Sequence, residues 1–348
     1  MDKEIVYRKK ISDAGQRQGW WHSDGIVAAL SGGGDSVALL WLLKRYFPGR
    51  IVAAHLDHCT RNGASHDDAA FAQALCAEWN IKCAVKVVDV HGRREQGESF
   101  EMAGRRERYL HFRETAAAEG IEWIALGHSA DDLVETQLMN LFRGTGLKGL
   151  RGIPEQRGNI VRPIINFRRD ELRGILRDNN ISWCEDASNN EMIYQRNKVR
   201  EELIPWIKNN LNINFEESMA GLAQQLNEEI AEREEAAKKL LAEVSFVLEP
   251  ALVAWNAHTV KNISRKDLID MLRMQGELLS LPSLSRSMTY LLADLISHGG
   301  AWRFQWALDI EVCYSNRGIG WLHRCDVEHS RGKNKQNAAQ LPLPWWAR

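Results

Sequence analysis

Between Gly25 and Phe142 the chain alternates short apolar runs with amphipathic stretches, a pattern that few folds accept. GIVAAL (Gly25–Leu30) reads as a buried strand, and Asp35–Tyr46 as the helix after it. RIVAAHL (Arg50–Leu56), CAVKVVDV (Cys83–Val90) and IEWIALGH (Ile121–His128) repeat the strand signal. Helices are expected from about His66 to Trp79, over Glu101–Glu119, and from Ala130 to about Phe142. Continuous apolar runs alternating with helical periodicity indicate an α/β parallel sheet with helices on both faces. Such sheets bind ligands beyond the carboxyl ends of their strands. The loops beginning at Ser31, Asp57, Asp89 and His128 all belong at that edge.

Arg168–Asn179 and Tyr194–Lys208 read as helices completing a first domain, placed at residues 1–212. NFEESMAGLAQQLNEEIAEREEAAKKLLAEV then has the periodicity of one long helix. Arg265–Gly276 and Leu284–His298 read as helices, and AWRFQWALDIEVCY as a strand pair or one long strand. Residues 213–330 are therefore expected to form a smaller, mostly helical domain, with a loosely held tail at 331–348. The six cysteines never fall at C-x-x-C spacing, which argues against a zinc ribbon or a local iron–sulfur clip. Dispersed thiols, a charged start and no apolar run of membrane length lead to the expectation of a soluble cytoplasmic protein without a membrane partner. Net charge is −1, so no nucleic-acid partner is announced globally. Basic residues nevertheless outnumber acids from Arg143 to Arg200. Charge alone favours solvated helix faces paired with acids such as Asp170 and Glu171, with a local phosphate-neutralising patch as the alternative.

The first strand stops at SGGGDS (Ser31–Ser36), where a glycine loop opens a helix. Backbone N–H groups and a helix N-terminus in that setting favour phosphate. A Walker loop would carry Gly-Lys-Ser/Thr here, but Asp35-Ser36 occupies the place. A dinucleotide fingerprint would carry a third glycine where Val37 stands. The loop matches the S-G-G-x-D-S motif of the PP-loop ATP pyrophosphatases.

Four further stretches resemble one branch of that superfamily. HLDHCTRNGAS keeps Asp57, His58 and Arg61 of a D-H-x-x-R loop. FEMAGRRERYLHF keeps Glu101, Arg105, Arg108 and Tyr109 of an E-A-x-A-R-x-x-R-Y helix, with Gly104 where alanine is usual. GHSADDLVETQLMNLFRGTGLKGLRGI is similar to G-H-H-x-D-D-x-x-E-T…R-G-T-G-L-x-G-L-x-G, with Ser129 in place of the second histidine. WCEDASNNEMIYQRNKVREELIP resembles W-x-E-D-x-S-N…Y-x-R-N-x-I-R…P. Together these blocks, from Gly25 to Pro205, resemble the tRNA(Ile)-lysidine synthetases.

The resemblance implies a PP-loop, HUP-like catalytic domain followed by a helical tRNA-recognition domain. It implies ATP and Mg²⁺ as cofactors, L-lysine and an isoleucine tRNA with a CAU anticodon as partners, and leaves homodimerisation open. The implied reaction uses ATP to activate C2 of the wobble cytidine: the base is adenylated with loss of pyrophosphate, after which the lysine side-chain amine displaces AMP. Ser31, Gly32, Gly33, Gly34, Asp35 and Ser36 would hold ATP, with Asp35 as an Mg²⁺ or helix-start ligand. Asp132 and Glu135, three apart on one helix face, would recognise the lysine amine, and Arg108 its carboxylate. Asp35, His128 and Asp132 are the implied catalytic residues, although helix-dipole compensation accounts for one first-turn acid and ordinary hydrogen bonding for many histidines. Arg143 with Gly144, Thr145 and Gly146 would contact the target base, or else form a capped helix end. Asp186, Ser188 and Asn189, with Arg196, Asn197 and Arg200, would face ATP and tRNA. Trp302, Trp306 and Trp321 are either base-stacking or core residues. The alternatives are another PP-loop tRNA modifier that performs 2-thiolation, and a non-catalytic ATP- or AMP-binding module.

Overall fold

The computed structural model describes residues 3–59, 64–184, 195–315 and 318–329. Arg61, Asp186, Ser188, Asn189, Tyr194 and the expected tail 331–348 lie outside the described residues. The chain divides into two compact units, Met1–Asn227 and Glu228–Arg348.

In chain order the first unit contains α1 (Lys3–Arg17), β1 (Gly25–Ala29), α2 (Gly34–Tyr46), β2 (Arg50–Asp57), α3 (Ala64–Glu78), β3 (Lys82–Val87), α4 (Phe100–Glu119), β4 (Trp123–Ala125) and α5 (Ala130–Arg143). It continues through α6 (Leu147–Leu150), β5 (Gln156–Arg157), β6 (Ile160–Val161), α7 (Arg169–Asp178), α8 (Gln195–Lys198), a π turn (Val199–Leu203) and α9 (Ile204–Asn210) into α10 (Phe215–Val244). The sheet order is β3-β2-β1-β4-β6-β5, parallel throughout except for β5, which runs antiparallel to β6. Both faces are buried, which is why the strands read as unbroken apolar runs. Ile26, Ala28 and Ala53 pack with Val37, Leu40 and Leu172 on one side. Val27, Val52 and Ala54 pack with Phe112 and Ala116 on the other.

Three elements depart from the sequence reading. The fourth strand is short, because after Leu126 donates to Val161 O at 2.9 Å the chain leaves the sheet through Gly127. A Cβ there would stand 3.2 Å from the Ser36 backbone, so glycine permits this close approach to α2. The helix expected over Tyr194–Lys208 is broken into α8, the π turn and α9. Pro205 explains the break, since its ring cannot sit against the carbonyl four residues earlier and a wider turn relieves the clash. Finally, α1 was not anticipated. It buries Ile11 and Ala14, and its Lys10 pairs with Glu171 at 2.8 Å.

The second unit takes the rest of α10 and then β7 (Ser245–Phe246), β8 (Val253–Trp255), α11 (Ala257–Val260), α12 (Arg265–Leu278), α13 (Arg286–His298), β9 (Trp302–Gln305), β10 (Ile310–Ser315), β11 (Gly318–His323) and α14 (Arg324–His329). Helices hold most of its regular structure, as expected. AWRFQWALDIEVCY forms the pair β9 and β10 within a five-stranded antiparallel sheet ordered β7-β8-β11-β10-β9. Trp306 and Trp321 are buried in its core and Trp302 packs against that core, which decides for the core reading of all three.

Candidate active site

The glycine loop is held by its own side chains. The Ser36 hydroxyl donates to Gly33 O at 2.8 Å and accepts the Ser31 N–H at 3.1 Å, while the Ser31 and Ser36 hydroxyl oxygens stand 3.1 Å apart. Gly32 has φ +90°, a conformation that L side chains rarely adopt, and a Cβ on it would meet Cys184 Sγ at 3.3 Å. Cys184 buttresses the loop, its N–H donating to Gly32 O at 3.0 Å. Burial and the Asp68 carboxylate push its thiol up to about 12, so it stays a neutral thiol.

The loop has no lysine, but α7 supplies guanidinium groups in its stead. Arg173 lies directly over Gly34, where any Cβ would collide with it, and donates to Asp35 Oδ1 at 3.1 Å. Arg169 Nε stands 3.5 Å from Asp35 Oδ2. Burial raises the Asp35 pKa above the ordinary aspartate value, against the opposing pull of Arg169 and Arg173. Arg169 and Arg173 are four apart on one helix face, a spacing that the sequence displayed and that reading by motif passed over.

The acids of α5 form the centre of a second cluster. Ser129 donates through its N–H to Asp132 Oδ2 at 2.9 Å and through its hydroxyl to the same oxygen at 3.1 Å. Here the residue in the histidine's place starts the helix and engages half of the Asp132 carboxylate. Asp132 Oδ1 accepts from Arg196 at 2.9 Å and Arg169 at 3.2 Å. Glu135, 1% exposed, accepts from Arg196 at 2.6 Å, from Arg200 at 2.7 Å and from Arg169 at 3.4 Å. Asp131 accepts the Arg169 backbone N–H at 2.7 Å and so caps α7. Burial opposes ionisation of Asp132, but Arg196, the Ser129 N–H and Arg169 outweigh it and hold the pKa below the ordinary value. Sequence reasoning had Arg196 and Arg200 facing ATP and tRNA. The fold brings both onto the two acids expected to receive lysine.

His128 follows β4 at the same edge. Its Nδ1 accepts from Arg162 Nε at 3.2 Å, and burial together with the Arg162 charge lowers its pKa to about 4. Arg162, missed as a site residue, is 5% exposed, and its Nη1 donates to Pro154 O at 2.7 Å. Asn197 is buried on α8. Arg108 is exposed on α4, its Nε donating to Gly104 O at 3.4 Å, with Arg105 and Glu101 as charged neighbours, and burial together with the Arg108 charge lowers the pKa of the nearby His58 to about 4. Its described contacts do not join it to Asp132 or Glu135. Arg143 is exposed at the end of α5, beside exposed Leu141 and Phe142, and Gly144 follows at φ +73°.

A model of the PP-loop domain matches residues 7–207. The tRNA(Ile)-lysidine synthase of Clostridium perfringens is 39% identical over 223 residues, covering 63% of this chain and 48% of that protein. The enzyme of the same description from Clostridioides difficile is 37% identical over 257 residues, covering 72% and 56%. The chain thus spans about half the length of the curated relatives that it matches. The solved structure of the U34-tRNA thiolase NcsA from Methanococcus maripaludis, with its 4Fe-4S cluster, is similar at TM-score 0.53 and 17% identity, over 64% of this chain and 78% of that one. That likeness shows a shared fold.

Proposed function

The chain belongs to the PP-loop family, which implies ATP binding, and on that premise we propose that it ligates L-lysine to C2 of the wobble cytidine of an isoleucine tRNA with a CAU anticodon. The products are lysidine, AMP and pyrophosphate. The observation that carries this reading is the joining of the SGGGDS loop to the Asp132–Glu135 acids through the arginines of α7. That arrangement serves a reaction in which a phosphoryl transfer and an attacking amine meet. A nucleotide sensor has no use for the second half. A thiolase would be expected to carry cysteines at C-x-x-C spacing, which this sequence lacks.

In the first step the cytidine O2 attacks the α-phosphorus and pyrophosphate leaves, with Arg169, Arg173 and the N-terminus of α2 neutralising the charge on the departing group. Among the described residues no group of three or more His, Cys, Asp or Glu side chains suits a metal ion. Mg²⁺ commonly needs only one or two carboxylates plus substrate phosphates, and Asp35 would be that carboxylate once the phosphates draw Arg169 and Arg173 from it. In the second step the lysine side-chain amine attacks C2, AMP leaves, and a proton is lost from the amine. Asp132 and Glu135 receive that amine in exchange for Arg196, the most exposed of their three guanidinium partners (42%, against 22% for Arg169 and Arg200). Arg108 holds the lysine carboxylate, Arg143 and Asn197 serve tRNA and ATP, and Arg200 stays on Glu135. The second unit reads tRNA, and such a substrate belongs in the cytoplasm.

The test is pyrophosphate release from ATP. Release that depends on unmodified isoleucine tRNA supports the reading, and none with any RNA would leave a nucleotide sensor.

A further inference from the structure

Strand β6 lies between β4 and the edge strand β5, with Ala125 of β4 opposite its Val161, so the residues that follow β4 and β6 leave the sheet side by side. This places Arg162 against His128, and the contact is specific in its chemistry. A guanidinium has donors and no acceptor. The imidazole nitrogen that faces it must therefore offer a lone pair, which leaves the ring proton on Nε2. A second proton on the ring would set N–H against N–H and cation against cation. The charged groups around the ring are Arg162, Arg196 and Arg105 on one side of the balance and Asp132 on the other. Arg162 is itself unusual, being almost fully buried with neutral partners among the described residues: the Pro154 carbonyl, the His128 ring and the Tyr109 hydroxyl. A buried cation without a carboxylate is costly, and its burial lowers the Arg162 pKa.

We propose that Arg162 is a positioning residue that fixes His128 as the neutral Nε2–H tautomer, so that His128 donates a hydrogen bond to the reacting nucleotide and does not accept its proton. The acceptor is an anionic oxygen, and only its assignment to the α-phosphoryl group of ATP rests on the reaction proposed above. A neutral donor fixed in advance stabilises charge as it develops, without reorganisation and without a proton that could be lost. Any base for the amine proton must then be sought elsewhere.

The test uses the whole chain with ¹⁵N-labelled histidine. Ring nitrogen correlations are recorded from about pH 5 to about pH 8, and His128 is assigned through the signals lost in His128→Asn. The expected result is one neutral Nε2–H species throughout that range. Arg162→Met keeps the apolar stem and removes every donor. It should give mixed tautomers that titrate at higher pH than the wild-type ring, while burial, the larger cause of the lowered value, still holds them below the ordinary histidine value. It should also lower kcat for pyrophosphate release about tenfold or more, leave KM for ATP within about twofold, and add an acid limb to the pH profile. Arg162→Lys retains a donor and should restore the tautomer and part of kcat. The inference is overturned by an Nδ1–H ring, by wild-type titration near the ordinary value, or by Arg162→Met lowering Tm with the tautomer unchanged. The spectra need no substrate. Should no RNA support turnover, they still decide the tautomer, and failure of the proposed reaction is seen separately.

Discussion

Glu135 takes hydrogen bonds from three arginines while almost wholly shielded from water, so its removal takes away the close partner of Arg200 and leaves Arg196 and Arg169 to share Asp132. Breaking a buried ion pair from one side costs about 3 kcal/mol or more, and Glu135→Ala is expected to lose about that much in urea denaturation. Arg196→Ala has the opposite effect on the ligand. It frees carboxylate oxygen for an incoming ammonium and should tighten lysine binding severalfold by calorimetry without tRNA, whereas unchanged or weaker binding would contradict the exchange of Arg196 for substrate. Asp132 carries a pH signature. Its folded pKa lies below the ordinary aspartate value, so its contribution to stability is present above that value and fades as pH falls through the folded pKa. The stability gap between wild type and Asp132→Asn should accordingly be wide at neutral pH and shrink below about pH 4. At this scale the sequence displayed the right residue types at the right edge. It did not display their partners, because Arg196 and Arg200 reach Glu135 from 61 and 65 residues away.

Among the elements, legibility followed length and periodicity. The strands β1 and β2 were long enough to show an unbroken apolar run and the helices α2, α4, α5 and α10 to show their period, and the structure has them close to where the pattern put them. Two-residue strands such as β5, β6 and β7 show no period at all, and β6 is the one that delivers Arg162 to the site. Pro205 broke a helix whose composition otherwise read as continuous. The glycine loop yields its own prediction. Gly32→Ala forces a Cβ into a positive-φ position against Cys184, which costs roughly 1–3 kcal/mol and should weaken ATP binding more than tenfold in a titration, whereas Gly33→Ala, with φ −69° and a hypothetical Cβ 3.6 Å from the Ser31 hydroxyl, should be far milder.

For the molecule as a whole, the sequence placed the domain boundary near residue 212, and the compact units part within α10 instead. The first turns of that helix explain the difference. Ala223 packs with Leu133 and Ile165, Phe215 and Met219 pack beside Val134 and Leu138, and Glu216 pairs with Arg168 and Lys208. A fragment cut after Asn212 should therefore be less stable than one cut after Asn227, on the order of 3 kcal/mol in urea denaturation, since it loses buried Ala223 and Leu226 together with the partly buried Phe215 and Met219. Equal stability would return the boundary to residue 212. The central claim concerns the product, and incorporation of labelled lysine into unmodified isoleucine tRNA with a CAU anticodon tests it most directly. The assay contains ATP and Mg²⁺, with a methionine tRNA of the same anticodon as control. The account predicts ATP-dependent label in the isoleucine transcript alone, abolished by Asp132→Ala. Tight ATP binding without label in either transcript would contradict it.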